Sequence, residues 1–334
     1  MPVLTNEYLN YHPILPSTLY HYCSVSTLLS IIENKNIWLS DAEKTNDHTE
    51  MKWLLSNIKE VIEQILASYE GKYPKEILLK TKAIALETTE KMLLKNIPIV
   101  QNAKSFLICF SEASDLLSQW RAYGNDGNGV AIGFNAELFN DFAQGSYYLT
   151  KVIYNQEKTL DFLHTAIEKP LGYAIESSIN RKTNIYNISE LTMNISMLIV
   201  TIWQESFVYK NDMFSEEREW RLFRKLQSDN YCDCDGVDDY GYSDFLDGFF
   251  ISNNKYLGNF TRSPIKFRDA GNDIRTYFEL GFEKCKQDIF KEIIFGPKCK
   301  IADLDLKLLL AKNGYIEDIF SDAIKIRKSQ CPYT

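Results

Sequence analysis

The chain has 334 residues, 45% of them hydrophobic and 25% charged, with 20 Tyr and 19 Phe, a composition that can bury a core and excludes bulk disorder. Thirty-seven Lys and Arg against 45 Asp and Glu give a net charge of −8, which excludes nucleic-acid binding by overall phosphate neutralisation but not by a local basic patch. The seven cysteines (23, 109, 232, 234, 285, 299 and 331) are odd in number and form no C-x-x-C pair, so neither a disulfide framework nor a zinc knuckle is expected, and a reducing cytoplasm is. The sequence opens without a basic and apolar leader, and no run reaches the roughly 18 apolar residues of a span. No membrane attachment is expected.

In chain order, Leu19–Tyr22 reads as a short strand, followed by Ser24 or Ser26 as a helix cap and by Leu28, Leu29, Ile31 and Ile32 as an apolar helical face. Ile37–Ser40 reads as a second strand. Helical spacing then fills about 50–97, divided at Gly71 and Pro74. The run SFLICFS at 105–111 has the pattern of a buried strand, Ser114–Tyr123 of a short helix, GNDGNG of a turn and VAIGF of another strand. Val152–Tyr154 is expected to be a strand. A second helical block covers about 156–207, with breaks expected at Pro170 and near Asn184. In EREWRLFR (217–224) a two-residue period puts Glu217, Glu219 and Arg221 on one strand face, with Trp220 and Leu222 on the other. An acidic loop at 229–248 precedes short strands at 263–268, 275–280, 293–295 and 324–327, with a helix at 303–312. With no linker or internal repeat, the expectation is one α+β domain over 1–334 with helical insertions at about 50–97 and 156–207.

Four groups of residues could carry chemistry. His21, one of four histidines, reads either as a strand residue bonded to the backbone or as a ligand-binding group. Ser111 ends an apolar strand, and Trp120 and Tyr123 lie three apart on a helix, where Trp120 also suits core packing. GNDGNG is no phosphate loop, because it lacks the Lys-Ser/Thr ending and leads into a strand. Glu217 and Glu219 with Arg221 form either an ion-paired strand or a site in which one carboxylate stabilises a cationic centre and the other positions a nucleophile. DCDGVDD begins like a calcium loop but lacks its downstream glutamate. Asp41, Asn46, Asp47, His48 and Glu50 have no second histidine nearby, so no metal site is expected, and a metal-dependent nuclease is disfavoured.

Taken together, LYHYCSVSTLLSIIENKNIWLSD, NDHTE, CFSE with WRAY and GVAIGF, KNDMFSEEREWRLF, KEIIFGP and SDAIKIR resemble the bacterial proteins grouped as domain of unknown function 2971. The likeness spans Leu19 to Arg327, departing at His48-Thr49, where those proteins have Pro-Phe, and in the long acidic stretch after the E-x-E-W-R strand. More weakly, YHYCSVSTLLSIIENKNIWLS is similar to the start of ADP-ribosyltransferase folds of the DarT type. That resemblance implies an ADP-ribosyltransferase-like core of short strands and NAD as co-substrate. It implies Glu219 as the catalytic acid, Glu217 as the group positioning the acceptor, and His21 as a ligand of the nicotinamide-side ribose. Tyr20, Ser24, Ser111 and Arg221 would line the cofactor site, with Trp38, Trp120 or Tyr123 stacking on nicotinamide. The expected enzyme is a mono-ADP-ribosyltransferase modifying a protein or nucleic acid, as a toxin or anti-phage effector with an antitoxin or other partner protein. An NAD glycohydrolase and a non-catalytic binding or regulatory module on the same fold are the alternatives.

Overall fold

The computed structural model describes residues 13–44, 49–94, 103–142, 147–180, 185–204, 208–228, 242–244 and 259–333. Its strands are, in chain order, β1 (Thr18–Cys23), β2 (Asn36–Asp41), β3 (Ala103–Ser111), β4 (Val130–Asn135), β5 (Tyr147–Lys151), β6 (Ile179–Asn180), β7 (Ile185–Tyr186) and β8 (Glu219–Ser228). They continue as β9 (Tyr242–Asp244), β10 (Thr261–Arg262), β11 (Lys266–Asp269), β12 (Ile274–Gly281), β13 (Phe290–Phe295) and β14 (Lys325–Lys328). Strands and helices make the mixed α+β composition anticipated from the sequence. The chain sorts into two compact units, one of Met1–Pro13, Asn46–Ala103 and Val152–Ser215, the other of Ile14–Thr45, Lys104–Lys151 and Glu216–Thr334. The two helical stretches that read as insertions therefore gather into one unit.

That unit consists of helices Thr49–Ser68, Lys75–Leu93, Gln156–Ser177 and Ile188–Gln204 and the small antiparallel pair β6–β7. Leu54, Ile58, Val61, Ile62 and Ile65 recur at helical spacing and are buried with Leu163, Ile167, Leu171, Ile195 and Ile199 in its own apolar core. Asn155 caps the third helix by accepting from the Lys158 amide at 2.9 Å. Pro170 does not break that helix. Leu163, Ala166, Ile167, Leu171, Ala174 and Ile175 are buried on both sides of the proline, and this burial outweighs a penalty of about 3 kcal/mol. The strand expected at Val152–Tyr154 is instead β5, five residues earlier, and Ile153 makes only an isolated bridge to Tyr209.

The second unit is built on a sheet in the order β10-β12-β2-β3-β1-β4-β13-β14, with β11 on β12 and β8 joining β3, β5 and β9. β1 runs antiparallel to β4 for its whole length, from Thr18↔Asn135 to Cys23↔Val130, but meets β3 only at Tyr20↔Ser111. Alternation divides the sheet's side chains. Leu19, Phe110, Ile132, Phe134, Phe278 and Ile293 bury one face against Leu28, Ile31 and Ile32 of helix Val25–Asn34 and Leu306 and Leu310 of helix Asp303–Lys312. On the other face Tyr22, Trp120, Ala131 and Ile294 form a smaller cluster. Helix Ala136–Phe142, absent from the sequence reading, follows β4 directly and contributes Phe139 to the main core.

Three consecutive left-handed residues, Asn125, Asp126 and Gly127, shape the turn before β4. At its end Gly129 passes so close to β1 that a Cβ there would lie 2.1 Å from the Cys23 carbonyl oxygen and 2.8 Å from that of Gly124. Both obstacles are backbone and cannot rotate away. Gly129→Ala should therefore destabilise the fold by about 3 kcal/mol, read as a lower denaturant midpoint with an unchanged slope; an unaltered midpoint would refute the close approach.

Candidate functional site

The CFSE end of β3 and the EREW start of β8 meet. The Ser111 hydroxyl donates to the Glu217 carbonyl at 2.6 Å and accepts from the Ala113 amide at 3.0 Å. One residue on, the Glu112 amide donates to the Arg218 carbonyl at 3.1 Å. The Glu112 carboxylate accepts from the Trp220 indole and from Lys151, both at 2.7 Å. Between these anchors Arg218 has a φ of +45°, a conformation costing an ordinary residue about 1 kcal/mol. The left-handed step changes the expected E-x-E pair. β8 begins at Glu219, while Glu217 closes the 3-10 turn Asp212–Glu217, so the two carboxylates do not share a strand face.

Glu219 and Arg221 do share one, two residues apart, and are 5% and 3% exposed. The guanidinium donates through Nε to Oε1 at 2.8 Å and through Nη2 to Oε2 at 3.0 Å. This two-pronged arrangement fixes the carboxylate plane as well as its charge. Thr150 of β5 is the register partner of Arg221, and Lys151 that of Trp220.

His21 lies where β1 and β3 part. Its Nδ1 is 3.0 Å from the Cys109 carbonyl oxygen, and Phe110 meets its ring edge-on. A carbonyl only accepts, so Nδ1 carries the proton and Nε2 keeps its lone pair. Burial pushes the imidazole below its ordinary pKa, against a smaller opposing effect of the Cys109 carbonyl, and the ring is neutral at pH 7. Along β1, His21 alternates with Tyr20 and Tyr22 and shares the parity of the core residues Leu19 and Cys23.

The remaining predicted residues have structural work. Ser24 caps helix Val25–Asn34, accepting from the Thr27 amide at 3.1 Å. Tyr20 donates to Glu292 at 3.2 Å, and burial, reinforced by that carboxylate, raises its phenol to about 12. Trp120 is fully buried, edge-on to Tyr22, with its indole donating to Asp115 at 2.6 Å; it is the core residue of the blander reading. Tyr123 is exposed. Trp38 is half-buried, its ring centre 4.3 Å from that of Tyr277 and tilted by 31° to it. The calcium-like segment 233–239, Asn46, Asp47 and His48 lie outside the described residues. Among the described residues no group of three or more His, Cys, Asp or Glu could hold a metal, and no helix is long and apolar enough to cross a membrane.

Sequence reasoning missed Asp115, Glu292 and Arg327. Arg327 donates to Glu292 at 2.9 Å and to Ser114 at 3.1 Å, and Asp115 accepts from Trp120, from Ser329 at 2.5 Å and from the Gln330 amide at 2.7 Å. Burial alone would raise the Asp115 pKa, but the Ser329 hydroxyl, Gln330 amide and Trp120 indole outweigh it and hold the carboxyl below its ordinary value. Glu292 likewise ends low, through Arg327. Partners some 215 residues apart leave no local periodic signal.

A family model described as "Protein of unknown function (DUF2971)" matches residues 119–222, from the helix bearing Trp120 to the Glu219–Arg221 strand. No curated protein and no solved structure matches the chain.

Two outcomes follow from this geometry. Ser111→Ala removes both bonds from a site that is 2% exposed and should cost about 2 kcal/mol of unfolding free energy; a loss below experimental error would show that the β3–β8 anchor lies elsewhere. The lowered pKa of His21 means that the unfolded chain takes up its proton first. Stability is therefore full above about pH 6.5 and falls as the pH drops from there towards the lower folded value. Urea unfolding between about pH 6.5 and 5 should show this slope in wild type and lack its His21 component in His21→Gln, whereas the contributions of Asp115 and Glu292, both lowered, are lost only from the ordinary carboxylate range downward.

Proposed function

We propose, for a chain whose residues 119–222 belong to the DUF2971 family, that it is an NAD-dependent mono-ADP-ribosyltransferase-like enzyme modifying a macromolecule. The observation that carries this reading is Glu219, a buried carboxylate whose two oxygens are oriented by Arg221 at the start of β8. β8 is paired to β3, and the Cys109 carbonyl of β3 is also the partner of His21. In such a reaction the bond from the ribose anomeric carbon to the nicotinamide nitrogen breaks, and its electron pair leaves with nicotinamide. The acceptor's nucleophilic atom forms the new bond and gives up its proton. Positive charge develops on the sugar in between, and a fixed carboxylate in a dry site stabilises it by about 3 kcal/mol or more. A neutral imidazole with a free Nε2 lone pair suits a ribose hydroxyl. Glu217, half-buried at the turn before β8, is the group for positioning the acceptor. A toxin or anti-phage role with an antitoxin partner extends the same reading, and water as acceptor turns it into an NAD glycohydrolase.

A second reading has its own support. Glu219 and Arg221 are almost wholly buried against each other, and Tyr20, Ser24, Ser111 and Trp120 serve hydrogen bonds within the fold. A non-catalytic binding or regulatory module would use them in that way.

Nicotinamide release from NAD, with protein and nucleic-acid acceptors supplied, separates the two. The enzyme reading expects release by wild type and a fall of about 100-fold or more in Glu219→Gln, with melting temperatures recorded alongside. His21→Gln, which keeps a polar group at β1, should raise KM for NAD more than it lowers kcat. Absence of release by folded wild-type protein, or equal release by folded Glu219→Gln, would leave the module.

A further inference from the structure

Glu112, Glu217 and Glu219 come together at the rim where β3 ends and β8 begins, and their carboxylates are differently occupied. Glu219 has both oxygens on Arg221 and is 5% exposed. Glu217 closes the turn ahead of the strand, with its carbonyl held by Ser111. Glu112 lies one residue beyond β3, and its amide donates to the Arg218 carbonyl, the group bonded directly to the Glu219 nitrogen. The Glu112 carboxylate spends a single oxygen on the fold. Oε1 accepts from the Trp220 indole and from Lys151, both at 2.7 Å, whereas Oε2 has no hydrogen-bond partner among the described residues and is not sealed from solvent. The Glu112 side chain is 23% exposed and that of Lys151 30%, which brings the group to the surface.

A carboxylate held in this way has the form that proton transfer needs. A lysine alone would leave it free to turn about its last bond, but the Trp220 indole belongs to a side chain only 3% exposed and fixes its direction. The lone pairs of Oε2 then face outward. Trp220 and Leu222 enter the core, and Glu219 and Arg221 alternate with them along β8. Glu112, bonded to the indole, and Glu219 therefore flank the first residues of the strand from opposite sides. Reactions at a glycosidic carbon use two carboxylates so placed, one opposing the charge that develops on the sugar and one handling a proton across from it.

We propose that Glu112 is the general base of the transfer, taking the acceptor's proton on Oε2 while Glu219 opposes the positive charge on the ribose. The assignment rests on the transferase reading; Glu217 keeps the positioning of the acceptor, and the proton falls to Glu112. The bond from the anomeric carbon to the nicotinamide nitrogen breaks, and its electron pair leaves with nicotinamide. The acceptor's oxygen or nitrogen forms the new bond, and its proton passes to Glu112 and on to solvent. Lys151 and Trp220 act through Glu112 and are positioning residues. An anionic nucleophile that carries no proton has no need of Glu112.

Azide separates the base from every other role, because it attacks without losing a proton. Nicotinamide release by full-length protein is measured with protein and nucleic-acid acceptors and again with azide, in wild type, Glu112→Gln and Glu219→Gln. The Gln side chain keeps an oxygen for the indole and for Lys151. Glu112→Gln should lower release with proton-bearing acceptors by about 100-fold at an unchanged KM for NAD, and azide should return it to the wild-type rate with ADP-ribosyl azide as the product. Glu219→Gln should stay slow with azide, since the charge on the ribose still lacks its carboxylate. A loss in Glu112→Gln that azide does not restore would mark a structural role, an unchanged rate would mark no role, and restoration of Glu219→Gln instead would reverse the two carboxylates. Each of these overturns the assignment and leaves the enzyme reading standing, whereas no release by folded wild-type protein overturns both. Melting temperatures accompany every rate, and Glu112→Asp, which draws the carboxylate back from the acceptor, carries the same azide comparison if Glu112→Gln does not fold.

Discussion

A carboxylate that loses its water must be given an equal partner, and in the sheet unit Glu219 depends on Arg221 for it. Breaking such a pair by removing one member costs about 3–5 kcal/mol, because the other charge is stranded. Two residues of separation on an extended strand is the shortest spacing that puts both on one face, so β8 must be regular from Glu219 onward. The chain arriving from the 3-10 turn has to reverse its sense at one residue, and Arg218 takes the left-handed conformation that does so. Ser111 and Glu112 then hold the carbonyls of Glu217 and Arg218. The pair, the strained step and the two anchors form one dependent chain of causes, and they join segments more than 100 residues apart.

Much of the fold is legible because it follows from periodicity. β1, β2, β4 and the Asp303–Lys312 helix fall within a residue or two of their expected positions, since each is a short apolar pattern between polar breaks. Helix Ala136–Phe142 is not legible: seven residues are too few to reveal a period. Pro170 misleads for a different reason, because local propensity is weak beside burial on four flanking turns.

The candidate site was legible in its residue types and less so in its geometry. Glu219 and Arg221 were recognisable from alternation, and the structure pairs them. Glu217 was grouped with them because nothing in an arginine's identity announces a positive φ at 218; a glycine would have. Trp120 suits core or ligand by its position alone, and what decides is Asp115, held to Ser329 across 214 residues of chain.

The placement of the helices between sheet strands bears on how the molecule reaches this state. β2 ends at Asp41 and β3 begins at Ala103, while β1 must find β4 more than 100 residues downstream. Pairings of such sequence separation are kinetically slow, because loop-closure entropy is lost before any ladder bond repays it. Helices Thr49–Ser68 and Lys75–Leu93 are built from local contacts and form on a much faster timescale. Contact between these two helices takes much of the chain between β2 and β3 out of the flexible loop and so lowers the closure entropy that their pairing must overcome.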